Sequence, residues 1–253
     1  MIQREFSVEG SPDIEVRLES GRIEIHSGDP GVVKVTVDTK SPDFIVEQRG
    51  NSIVVSSDKN GSWLSRGSAY VVVEAPEGSD LQVGVASAPI KVAVPLGKVD
   101  IKTASGDIEL ADADAVAIKT ASGDADLGSV GHSLSFTSAS GDLRVRGTCR
   151  GSVAASTASG DIHIADCEAT INVNTASGDI DIARFAGRSA NFKGMSADVD
   201  LAIPRRTEVD LDVNLLSGRL RLPESEPRQG DPERQMSIRV KLVSGNLTIR
   251  RAD

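Results

Sequence analysis

Six aspartates stand at nearly equal intervals along the middle of the chain: Asp107, Asp124, Asp142, Asp161, Asp179 and Asp198. A row of carboxylates can collect Ca²⁺ or a cationic partner. Two of them in unlike environments can act as the acid and base of a glycan-cleaving enzyme. Both chemistries need acids that differ from one another or converge on one point. These do neither: five close the phrase "TASGD" or "SASGD" that begins at Thr103, Thr120, Ser138, Thr157 and Thr175, and the sixth closes "MSAD". Carboxylates stacked about 4.8 Å apart repel by about 0.9 kcal/mol per pair in bulk water and about 3.5 kcal/mol at an effective dielectric of 20. Such a row must therefore be solvated, or must accept backbone N–H bonds at the bend where it sits. The glycine- and aspartate-rich nonapeptides of calcium-binding β-rolls are absent. Metal and cofactor sites are accordingly not expected, and the column is retained as a candidate interaction surface.

The elements that position these acids are legible in the same phrase. Its glycines, Gly106, Gly123, Gly141, Gly160 and Gly178, are 17, 18, 19 and 18 residues apart, with looser copies at Gly21, Gly218 and Gly245 and alanine in the same place at Ala88 and Ala197. Five residues before the glycine lie Ile101, Ile118, Phe136, Ala155 and Val173; two after it lie Ile108, Ala125, Leu143, Ile162 and Ile180; four after it, Leu110, Leu127, Val145, Ile164 and Ile182. Apolar and polar residues alternate on both sides of the bend, the period of a strand with one buried face. Ser-Gly can be the turn of an antiparallel hairpin in a meander or sandwich, or the bend of a coil whose successive turns stack in parallel. Repetition of the whole phrase, polar letters included, favours the second, because stacked copies give identical neighbours identical contacts. The expected fold is all-β, a single-stranded β-helix of about 18-residue rungs. Gly or Ala is expected where a larger side chain would crowd the next rung, and Thr103, Thr120, Ser138, Thr157 and Thr175 share the buried parity, so their hydroxyls should bond backbone or one another.

A stacked coil needs covered ends. Residues 1–82 hold strand-like "VVKVTV", "FIVEQRGNSIVV" and "AYVVVEAP" off the later period, and are expected to form an irregular capping region continuous with a repeat region over 83–253. Trp63, in the polar stretch "SSDKNGSWLSRGS", is either a lid over the core or a recognition anchor. The stretch 223–236, "PESEPRQGDPERQM", is expected as an exposed loop.

The repeated "ASGD" units, with lead-in stretches such as "APEGSDLQVGVAS" and "AIPRRTEVDLDVNLLSG", resemble the Toastrack family of bacterial proteins over nearly the whole chain. That resemblance implies a β-strand-repeat module of adhesin-like type, a single-stranded β-helix without established catalytic residues, some of whose relatives are tied to membrane or envelope segments.

Composition narrows the function further. A formal net charge of −9 argues against general binding to nucleic acid or to an anionic membrane, which needs clustered Lys and Arg. No apolar run approaches membrane-spanning length and no leader pattern opens the chain, so the expectation is a cytoplasmic protein without direct membrane insertion. Cys149 and Cys167 fall in adjacent repeats as small buried residues, and His26, His132 and His163 are scattered. The expected role is a non-enzymatic scaffold or binding module with a protein or glycan partner. A glycan-acting enzyme, an extracellular adhesin and a calcium-responsive β-roll are the alternatives.

Overall fold

The computed structural model describes residues 1–41, 44–57, 68–223 and 234–252. Trp63 and most of the expected 223–236 loop lie outside them; Arg234–Met236 already belong to a strand, and Met236 is buried. The described residues form strands, bends and turns without helix, and they divide into two compact units, 1–128 and 129–253.

The first unit contains Ile2–Ser7 (β1), Asp13–Ser27 (β2), Val32–Thr39 (β3), Ile45–Arg49 (β4), Ser52–Ser56 (β5), Ser68–Ala75 (β6), Asp80–Ser87 (β7), Ile90–Val92 (β8), Leu96–Lys102 (β9), Ile108–Leu110 (β10), Ala113–Lys119 (β11) and Ala125–Leu127 (β12). The strands on either side of Ser105-Gly106 do not pair with each other. They run parallel to their counterparts in neighbouring repeats, with Ile101 beside Ile118 and Ile108 between Ile90 and Ala125. This is the solenoid-like, stacked arrangement in which like lies on like. Two hydrogen-bonded ladders result: β4–β5–β2–β7–β9–β11 before the bend and β1–β3–β6–β2–β8–β10–β12 after it.

The second unit contains Val130–Thr137 (β13), Leu143–Cys149 (β14), Ser152–Thr157 (β15), Ile162–Cys167 (β16), Thr170–Ser177 (β17), Ile180–Ile182 (β18), Ser189–Ser196 (β19), Val199–Ile203 (β20), Thr207–Ser217 (β21), Leu220–Arg221 (β22), Arg234–Ser244 (β23) and Leu247–Arg251 (β24). Its ladders are β13–β15–β17–β19–β23–β21 and β14–β16–β18–β20–β24–β22. One inner column reads Phe136, Ala155, Val173, Phe192 and Val240, all buried, so the smallest side chain lies beside a large one. A further column, Val130, Cys149, Cys167 and Phe185, is buried as well. The two thiols are free and occupy core positions. Burial pushes Cys149 up to about 12 and Cys167 up to about 11, so both remain protonated at neutral pH.

Layer order departs from chain order in both units. The layer made by β2 lies between the layer of β5 and β6 and the layer of β7 and β8. Likewise β23 and β24, last in the chain, lie between β19 with β20 and β21 with β22. Strand β2, early in the chain, and strands β23 and β24, at its end, thus lie within their ladders and are paired on both sides. Freeing β23 and β24 would break pairing on both of their sides at once, which suppresses the fraying ordinary at a chain end.

Candidate functional site

The bend is built from three residues. In the first, the hydroxyl of the Thr or Ser accepts the glycine N–H three residues on: Gly106 to Thr103 Oγ1 at 2.9 Å, Gly123 to Thr120 at 2.8 Å, Gly141 to Ser138 Oγ at 2.7 Å and Gly160 to Thr157 at 2.9 Å. These hydroxyl residues are all buried, so each bond satisfies a donor and an acceptor that water cannot reach. Thr175 differs, donating to the Ser177 carbonyl at 3.0 Å where Gly178 takes a φ of 135°. The second residue is the glycine. A Cβ on Gly123 would overlap the carbonyl oxygen of Gly106, and one on Gly160 would overlap that of Gly141. At these two positions glycine is required because the preceding layer's backbone passes too close for a side chain.

The third residue is the aspartate. Four of the carboxylates reach across to the following layer in the same way: Asp107 Oδ1 accepts the Asp124 N–H at 3.2 Å, Asp142 that of Asp161 at 2.8 Å, Asp161 that of Asp179 at 2.7 Å, and Asp179 that of Asp198 at 3.2 Å. Asp198 then accepts both the backbone N–H of Asn246 at 2.8 Å and its side-chain amide, and Asn246 Oδ1 accepts the Arg219 N–H at 3.1 Å. The acids are exposed, so water offsets their mutual repulsion, and a charged acceptor meets N–H groups that the bend removes from the strand ladders. Among the described residues no three His, Cys, Asp or Glu side chains form a group able to hold a metal ion.

Beside the aspartates runs an outward charged row in the second unit. Arg144, His163, Asp181 and Asp200 are in register; His163 Nδ1 lies 2.8 Å from Asp181, and Arg250 bonds Asp200 at 2.8 Å. The Asp200 carboxylate holds the Arg250 guanidinium above its ordinary range. These groups pair along the sheet surface and do not converge. The described residues also line a shallow depression of about 560 Å³ with Arg188, Glu208, Asp210, Gln235 and Ser237, next to the apolar Val209 and Met236.

A second feature lies at another position of the repeat. Regular repeats place Ala104, Ala121, Ala139, Ala158 and Ala176 two residues before the glycine. The last three layers of the second unit place Met195, Val243 and Leu216 there, and these are 64, 49 and 80% exposed. Leu220 and Leu222, on the buried parity, are also exposed, and Val209, Leu211, Val213 and Leu215 are only half covered. The substitution of Ala by large apolar residues was visible in the sequence. That these layers adjoin an uncovered edge was not.

The family model described as Toastrack DUF4097 matches residues 12–250. The chain belongs to the Toastrack family. Among solved structures, a "putative lipid binding protein" from Parabacteroides distasonis ATCC 8503 superposes with a TM-score of 0.54 at 18% identity, covering 97% of this chain and 96% of that one. A "putative adhesin" from Bacteroides fragilis NCTC 9343 gives a TM-score of 0.42 at 14% identity, covering 98 and 96%. A "putative adhesin" from Parabacteroides merdae ATCC 43184 gives 0.36 at 10%, covering 100 and 96%. No curated protein matches. The first of these likenesses supports the shared fold of this Toastrack chain. No helix among its described residues is long and apolar enough to cross a membrane.

Proposed function

We propose that this Toastrack chain is a non-enzymatic binding module, built as a single-stranded β-helix of about 18-residue rungs, that presents edge and bend surfaces to a macromolecular partner. The observation that carries this reading is the use made of the recurrent acids. From Asp142 to Asp198 each carboxylate accepts a backbone N–H of the next layer, so groups that could serve as an acid and base are engaged alike in holding the stack. Parallel offsets of 17 between Ile108 and Ala125, 19 between Leu143 and Ile162, and 18 between Ile162 and Ile180 support the rung length. Adhesin-like neighbours are consistent with a binding role. The test is to measure the intact chain against glycan and peptide arrays and to assay the same polysaccharides for release of reducing ends. Saturable binding without turnover is expected. Turnover abolished by Asp161→Asn or His163→Ala would replace this reading with an enzymatic one.

A further inference from the structure

We infer that the β21 edge of the second unit is a docking site for an extended strand of a partner protein, one in which apolar residues alternate with Lys or Arg. The inference rests on the reading of the chain as a binding module and names the partner's chemistry.

Strand β21 is 11 residues long and pairs on one side with β23; among the described residues no strand pairs with its other side. Its row of unmet N–H and C=O groups is the template that strand addition uses. The side chains say which strand fits. On the core side, Val209, Leu211, Val213 and Leu215 are half covered, where their partners Met236, Ile238, Val240 and Leu242 in β23 are buried. One more apolar layer would complete their burial. On the outer side, Glu208, Asp210 and Asp212 are exposed and acidic. The chain already shows what such a strand accepts: β23 sets Arg239 against Asp212 and Lys241 against Asn214, and donates Gln235 Nε2 to Glu208 at 3.0 Å. The outward column through this register reads Asn172, Asn191, Arg239, Asp212, and a cation is the complementary next member.

Charge also argues against a second copy of this edge. Two β21 strands meeting antiparallel about Leu211 would set Asp210 opposite Asp212 of the other copy, and like charges directly opposite are destabilising. An anionic membrane would meet the same acidic row.

The probe is a labelled peptide with the sequence of Arg234–Ser244, RQMSIRVKLVS, added to the full chain and followed by fluorescence anisotropy and by amide hydrogen exchange. Expected are saturable binding at micromolar concentration and slowed exchange over 208–216, with exchange over 238–242 unchanged because β23 is already paired on both sides. Exchanging the peptide's Arg and Lys for Glu should weaken binding at least about tenfold. The variant Asp210→Lys/Asp212→Lys should weaken the original peptide and restore the reversed one, and Asp210→Asn/Asp212→Asn serves if the first fails to fold. Equal binding of both peptides to wild type, or no binding, overturns the inference. So does binding confined to phosphatidylglycerol vesicles, dimerisation abolished by Leu211→Lys, or faster exchange over 208–216 when 224–233 is replaced by a Gly-Ser linker, which would make the occupant a membrane, a second copy or the chain itself. Saturable glycan binding untouched by these variants would leave the binding-module reading standing while this inference fails.

Discussion

The outer edges of the two units are finished differently. In the first, parallel pairing gives way to antiparallel: β3 covers β6, β1 covers β3, and β4 covers β5. Val33, Val35, Val37 and Phe44 are buried there, and the strands left outermost, β1 and β4, are six and five residues long and carry Arg4, Glu5, Glu47 and Arg49. Short, charged edges resist further pairing. In the second unit the outermost strand β21 keeps the parallel direction, runs 11 residues and leaves Leu216 exposed, and Leu220 and Leu222 in and just after β22 are exposed as well. The first edge is a closed surface. The second is an unfinished layer, and that difference is what makes it the candidate for a partner.

The sharpest way to break this comparison is to place a charge on each edge. Val35→Asp, in the closed edge, should cost about 4 kcal/mol because the carboxylate has no partner and no water. Leu211→Asp, in the open edge, should cost under about 1 kcal/mol. Equal losses of Tm would mean that β21 is as buried as β3. Glycines give the next comparison. In Gly160→Ala the new methyl meets the backbone of a neighbouring layer, and urea melts should show a loss of about 2–3 kcal/mol. In Gly218→Ala the methyl meets the Gly245 carbonyl and the residue must also adopt a φ of 139°, so the open edge does not spare it and the loss should be at least as large.

Removing the ladder acceptors should matter less. Asp161→Ala orphans the Asp179 N–H within the stack, a loss of about 1 kcal/mol by chemical denaturation. Asn246→Ala orphans the Arg219 N–H at the open edge, where water can replace it, and should lose about half as much. The thiols produce no effect at neutral pH. Both have folded values above the ordinary 9.0, so below about pH 9 each state holds its protons and stability is intact. From there up to about 12 the unfolded chain gives up protons that the folded chain retains, and stability falls. The variant Cys149→Ala/Cys167→Ala should lose less stability over that window than wild type, and iodoacetamide should label the native thiols far more slowly than the unfolded ones.

Much of the bend could be derived from residue types. Apolar columns, a hydroxyl bonded to backbone and a glycine excluded by its neighbour all follow from period-two alternation and from copies in register. The acids' acceptor role also followed, though not that the N–H belongs to the next layer, because the pattern within one repeat carries no information about reach between repeats. The exposed ridge of Met195, Val243 and Leu216 escaped notice for the same reason: those residues are separated in the chain by 21 to 48 positions and meet only through layer order.

By itself, then, the sequence determined that this chain is made of strands, where each one bends, and which face of each is buried, since those properties are local and written in side-chain size and polarity. Only the tertiary structure decided that Asp13–Ser27 and Arg234–Arg251 are inserted out of chain order, each between two other layers, and hence which surfaces remain uncovered. The physical reason is degeneracy. Every layer offers nearly the same apolar columns and the same backbone ladder, so many stacking orders satisfy the local pattern equally well, and the choice among them rests on how whole layers complete one another's burial.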